Sequence, residues 1–155
     1  MIIKDHPWQY NYRFSFSSNG TLYFKPEVQA FIKKNLDHIS LSISIDGNKT
    51  LHDACRVFPD GSGSYDIAIK AVHHYIDYWG GSMGSKMTIA PGNVMYVNEA
   101  IIGLINEGYT NINLNCVYEK GWTVEHATIL YYQLKQLGEY LIEHQLDDKI
   151  FISMF

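Results

Sequence analysis

The densest run of chemically able side chains is Ser44-Ile45-Asp46-Gly47, followed closely by His52, Asp53 and Arg56. An arginine presents a planar fork of donors that grips a carboxylate through two parallel hydrogen bonds. Arg56 is therefore a candidate for holding an anionic ligand; the competing assignment is a surface pair with Asp53 or Asp60. Ser40, Ser42 and Ser44 alternate with Leu41, Ile43 and Ile45. A buried sheet with hydroxyls on one face must find partners for them in neighbouring backbone, water or a ligand. Further polar groups stand in Ser17-Ser18-Asn19-Gly20 and in the run from Asn115 to Glu119.

Other chemistries find less support. Among the seven histidines, His73 and His74 are adjacent and so point to different sides of a helix. No His-x-x-x-His or Cys-x-x-Cys spacing occurs, which argues against zinc. The two cysteines, Cys55 and Cys116, cannot alone hold an iron–sulfur cluster and are expected to be buried, inert thiols. Asp46 and Glu119 are the obvious carboxylate pair for glycoside chemistry, with nothing to say that they converge. Pro59-Asp60-Gly61-Ser62-Gly63-Ser64 lacks the spacing of a P-loop and reads as a lead-in to a helix. A net charge of -4 and aromatic residues without basic interleaving speak against nucleic acid as a partner.

The elements that must position these groups follow from periodicity. Arg13 to Ser18 alternates polar and aromatic residues like a strand, and Asn19-Gly20 turns it towards a helix begun by Pro26-Glu27. Ile39 to Ile45 is the next strand. A long polar connection from Asn48 to Gly63 follows, and Ser64 is placed to cap a helix with its hydroxyl. Ile67, Ala71, Val72, Tyr75 and Trp79 mark that helix's buried face. Gly80 to Ser85 breaks it, and Lys86 to Ala90 is a strand. Val94, Val97, Ile101, Leu104 and Ile105 give another helix, Ile112 to Val117 another strand. Thr123 caps the longest helix, and Ile150 to Phe155 is a last strand.

Strictly alternating strands and helices imply an α/β fold with parallel strands joined by right-handed crossovers. Five strands and four helices are expected, within one domain spanning residues 1–155. A closed barrel of eight such units needs about 250 residues, so a partial parallel (β/α) barrel is the consistent architecture. Ligands of such sheets bind beyond the C-terminal ends of the strands. Ser17, Asn19, Ser44, Asp46 and Asn115 all fall there, whereas the Gly80 to Ser85 loop falls at the opposite end. The final strand has nothing to cover its outer side, so open sheet edges point to self-association as a homodimer. No signal peptide or membrane-length apolar run is present, and the expected location is cytoplasmic, without a membrane partner.

Several segments together resemble radical S-adenosylmethionine (SAM) enzymes. Phe16-Ser17-Ser18-Asn19-Gly20 resembles their Thr-Asn-Gly strand end. Ser42-Ile43-Ser44-Ile45-Asp46-Gly47, then His52-Asp53 and Arg56, then Gly61-Ser62-Gly63-Ser64-Tyr65-Asp66, resembles the Ser-x-Asp-Gly, His-Asp-x-x-Arg and Gly-x-Gly-Ser-Phe run of anaerobic sulfatase maturases and related peptide maturases. Lys86 to Pro91 and Ile112 to Trp122 look closest to maturases of cysteine-rich peptides. The likeness covers most of the chain after Arg13.

The resemblance implies the middle part of a radical SAM (β/α)6 barrel that binds SAM and a [4Fe–4S] cluster and abstracts hydrogen from a peptide or protein substrate. Ser44 and Arg56 would face the amino-acid or ribose part of SAM, with Asp46 beside them. Ser17 and Asn19 would line the same cavity, and the strand holding Asn115 would lie near the adenine. The family's Cys-x-x-x-Cys-x-x-Cys motif and Gly-Gly-Glu strand end are absent from the sequence. The expectation is therefore a central barrel fragment without the cluster-binding and auxiliary-cluster regions, inactive by itself. The rivals are a SAM- or peptide-binding module without chemistry and an unrelated partial βα-barrel enzyme.

Overall fold

A computed structural model of the chain describes residues 12–80, 83–118 and 121–154. The elements alternate as the periodicity predicts. They are β1 (Phe14–Ser18), α1 (Pro26–Asn35), β2 (Ile39–Ile43), α2 (Lys49–Cys55), α3 (Tyr65–Trp79), β3 (Gly84–Ile89), α4 (Val97–Asn106), β4 (Asn111–Cys116), α5 (Val124–Glu143) and β5 (Phe151–Ile152).

The strands form one sheet in the order β1-β2-β3-β4-β5, and every neighbouring pair is parallel. This order carries the architecture. In a doubly wound sheet the strand order reverses, which sends helices to both faces. Here each right-handed crossover advances one strand in the same direction, so all helices fall on one side. The result is an open arc of a (β/α) barrel.

Burial follows from that arrangement. Ile39, Leu41 and Ile43 of β2, Met87 and Ile89 of β3, and Ile112 and Leu114 of β4 are buried. They form one core with Ile32 of α1, Val72 and Tyr75 of α3, Ile101 and Leu104 of α4, and Leu137 and Leu141 of α5. Burying each such aliphatic side chain contributes roughly 1.5–3 kcal/mol. The intervening strand residues project from the other face, and on β2 they are Ser40 and Ser42, each only partly buried.

The register is staggered. Ser42, the fourth residue of β2, pairs with Gly84, the first of β3. β2 and β3 are paired only through Ser42 with Gly84 and Ile43 with Ser85. Beyond that point β2 stays with β1, because the Ser44 N–H donates to the Ser18 carbonyl at 2.8 Å. A notch thus opens between the C-terminal ends of β2 and β3, and stagger of this kind accompanies strand tilt in barrels.

Two expectations need correction. The connection from Asn48 to Gly63 is not entirely irregular: Lys49–Cys55 forms α2, making five α-helices among the described residues. Asn48 caps it, its Oδ1 accepting the Leu51 N–H at 3.1 Å. The segment is short and polar, so its helical stripe is too brief to read. Second, the Ser64 hydroxyl does not cap α3. Asp53 does, its Oδ1 accepting the Tyr65 N–H at 2.9 Å. Thr123 caps α5 as expected, in a reciprocal box with His126.

Candidate cofactor cleft

The helix-free face of the sheet is polar nearly throughout. The pairing places Ser17, Ser42, Gly84, Asn111 and Phe151 in one row across the five strands. Higher rows pair Lys86 with Asn113 and Thr88 with Asn115. These rows alternate along each strand with the buried core positions, so their side chains share the face away from the helices. A parallel sheet ordinarily buries apolar residues on both faces. A face of serine, threonine, asparagine and one lysine is built to stay wet or to hold a polar ligand.

At the C-terminal ends of the strands the polar groups become organised. The Asp46 carboxylate is almost wholly buried and receives the Arg56 side chain twice, from Nε to Oδ2 at 2.5 Å and from Nη2 to Oδ1 at 3.3 Å. Its Oδ1 also accepts the Thr88 backbone N–H at 3.1 Å. A β2-side carboxylate thereby closes the notch that strand pairing leaves open above Ser85. The Nη1 group of Arg56 has no hydrogen-bond partner among the described residues.

Behind this pair sits His52, which is fully buried. Its Nδ1 accepts the Asp46 N–H at 3.2 Å, and its Nε2 lies 3.1 Å from the Ser64 hydroxyl. That hydroxyl donates to the Arg56 carbonyl at 2.8 Å. With Ser64 committed as donor to Arg56, Nε2 of His52 must carry the proton, so the neutral Nε2–H tautomer satisfies every partner. Burial lowers the His52 pKa from its ordinary 6.5, outweighing the opposing pull of the Asp46 charge.

The neighbouring residues are fixed by close approach. Gly47 has φ of +99°, and a Cβ there would lie 2.6 Å from the Ala100 Cβ on α4. Only glycine permits both the backbone angle and the contact. A Cβ on Gly63 would fall inside the Asp53 carboxylate. The Asp-Gly and Gly-x-Gly pattern is therefore accounted for by packing of the loop against α4 and α2.

The sequence-derived candidates divide into two sets. Asp46 and Arg56 come together; Arg56 pairs with neither Asp53 nor Asp60. Ser17 and Asn115 lie on the polar face, and Ser44 continues β2 beyond its last ladder pair. The side chains of Ser17, Ser44 and Asn115 make no hydrogen bond among the described residues. Asn19 is occupied locally: its Oδ1 accepts the Thr21 N–H at 3.2 Å and the Thr21 hydroxyl at 2.9 Å. Glu119 lies outside the described residues. Cys55 is exposed, contrary to the expectation of a buried thiol, because it ends the solvent-facing α2. Cys116 is half-buried on the helix side, where burial pushes its thiol pKa up.

Three contributors were missed from the sequence: Thr88, Lys86 and Ser64 as a bridge. Lys86 could have been found by its alternation with Ser85 and Met87, which puts it on the face opposite the core.

No protein-family model and no curated protein matches the chain. Its fold matches solved structures of an anaerobic sulfatase maturase, a radical SAM enzyme, described as native anSMEcpe. With bound AdoMet and the Kp18Cys peptide, that structure superposes with a TM-score of 0.76 at 17% identity, over 96% of this chain and 42% of that one. With AdoMet and the Cp18Cys peptide the TM-score is 0.72 at 18% identity, over 90% and 40% of the two chains. With AdoMet alone it is 0.73 at 17% identity, over 92% and 40%. The chain thus spans well under half the length of the proteins whose fold it shares.

Proposed function

We propose that the chain is the SAM-facing part of a radical SAM enzyme that modifies a peptide or protein by hydrogen abstraction. The observation that carries this reading is the polar, helix-free sheet face that leads up to a paired, buried Asp46 and Arg56 at the strand ends. It occurs on a fold whose solved counterparts bind AdoMet and peptides.

The residues present suit SAM. Among the described residues Arg56 leaves Nη1 without a partner while Asp46 orients the rest of the guanidinium, so a ligand carboxylate can be gripped without the arginine having to be ordered first. Ser44, two residues before Asp46, would face the amino-acid part or the ribose hydroxyls of SAM, and Ser17 would line the same cavity. Asn19 shapes the turn at the rim. Asn115, on the same face as Thr88, lies on the side where the adenine edge would be read. SAM would supply the 5′-deoxyadenosyl group that takes a hydrogen atom from the peptide. The chain's own part is to bind, orient and shield it.

An iron–sulfur cluster does not fit this chain's own residues. The sequence has two cysteines, and no group of three or more candidate metal ligands occurs among the described residues. In this reading the cluster is held by residues outside the sequence, and this polypeptide alone binds SAM without cleaving it. That also defines the second reading, a SAM- or peptide-binding module, which the same missing ligand set favours. No helix among the described residues is long and apolar enough to cross a membrane, and a cytoplasmic setting fits the reducing chemistry proposed. Among the described residues β1 is an edge strand with Phe14 and Phe16 exposed, which would support pairing with a second copy.

Calorimetric titration of the chain with SAM tests the reading. Binding is expected, with about tenfold loss of affinity in Arg56→Ala and a smaller loss in Ser44→Ala. Unchanged affinity in both variants would remove the assignments; absence of binding by the unaltered chain would remove the reading.

A further inference from the structure

Asp46 and Arg56 are linked to one another by two routes. Their side chains meet directly. Their backbones are joined through His52 and Ser64: the Asp46 N–H donates to His52, His52 to the Ser64 hydroxyl, and Ser64 to the Arg56 carbonyl. The Arg56 guanidinium then donates back to the Asp46 carboxylate. Every donor in this ring points the same way round, and at the His52 imidazole and the Ser64 hydroxyl, which each accept and donate, successive hydrogen bonds strengthen one another. The Arg56 carbonyl is held a second time by the Ser64 N–H at 3.1 Å, and the Arg56 N–H donates to the His52 carbonyl at 2.9 Å.

We infer that His52 and Ser64 are positioning residues: together they set the backbones of Asp46 and Arg56 so that the guanidinium is presented to a ligand anion only while His52 is neutral. This rests on the assignment of Arg56 to SAM made above. The groups facing His52 are the Asp46 carboxylate, the Arg56 guanidinium, Asp53 and Lys49 on its own helix, and the Tyr65 ring on α3, whose centroid lies 5.7 Å away. A proton added at Nδ1 would face the Asp46 N–H donor to donor. It would also add a positive charge beside the Arg56 guanidinium on an imidazole that is itself fully buried. The ring opens at Asp46, and the arginine loses its backbone reference.

The chain itself, labelled with 15N, tests this without ligand. The heteronuclear NOE of the Arg56 Nε–H reports whether the side chain is held. It is expected to match the backbone at pH 7.5 and to fall at an acidic end point set about one unit below the lowered His52 pKa. His52→Asn keeps an acceptor for the Asp46 N–H and has no group to protonate, so its Arg56 NOE is expected to be independent of pH. Ser64→Ala is expected to lose it at both pH values while circular dichroism stays unchanged. SAM affinity, measured in parallel, should weaken about tenfold between pH 7.5 and that acidic end point in the unaltered chain and not in His52→Asn. The same pH response in His52→Asn as in the unaltered chain would overturn the inference, as would an ordered Arg56 in Ser64→Ala. If the NOE behaves as expected but SAM fails to bind at either pH, the ring stands and the functional reading falls.

Discussion

The Asp46 carboxylate accepts the Thr88 backbone N–H across a gap where β2 and β3 have ceased to pair. A side chain there does what the next rung of the sheet would otherwise do. Asp46→Asn retains an oxygen for Thr88 but not the ion pair, and Asp46→Ala retains neither. Urea unfolding should show losses of about 1–3 kcal/mol for asparagine and clearly more for alanine, since a buried N–H is then left without a partner. Equal losses would mean that the Thr88 contact contributes nothing.

Stability should fall on mild acidification. His52 is buried as the neutral form, and its folded pKa lies below the ordinary 6.5. As pH drops through about 6.5 the unfolded chain takes up a proton that the folded chain does not, so folding weakens until the lowered folded pKa is reached. The stabilisation is complete above the unfolded value and declines below it. Urea midpoints at pH 7.5 and 5.5, compared between the unaltered chain and His52→Asn, read this out; the decline should be shallower in the variant.

Gly47→Ala should be among the costlier single substitutions in the loop. The backbone angle and the Ala100 contact both oppose a Cβ, and a loss of more than about 1 kcal/mol is expected. Adding Ala100→Gly should restore part of the loss by relieving the contact while leaving the backbone strain. No restoration would show that the backbone angle is the whole cause.

Thr123→Ala removes the hydroxyl that accepts the His126 N–H at the start of α5. The cost should be about 0.5–2 kcal/mol in thermal or urea unfolding. The cap is placed at a helix terminus and joins none of the contacts around Asp46, so SAM affinity is expected to stay unchanged.

Much of the fold was legible because β2, β3 and β4 each carry a period of two over a single buried face. Ile39, Leu41 and Ile43 against Ser40 and Ser42 already say which side meets the helices. The capping threonine at α5 was legible for a similar reason, a local signal with one local partner. The role of Ser64 was not, because the position that caps helices also lies beside a buried histidine twelve positions earlier in sequence. Nor was the Asp46–Arg56 pair distinguishable from a pairing with Asp53 or Asp60. All three carboxylates lie near Arg56 along the chain, and only the turn of α2 brings one of them onto its fork.

The polar face of the sheet separates two kinds of selection. Nearly all buried apolar contacts lie between strands and helices, so residues such as Ser42, Lys86, Asn113 and Asn115 can change with little effect on folding. A lineage could exchange one ligand for another on that floor by point substitution alone, while the loop around Asp46 continued to hold the end of the barrel that any ligand must meet.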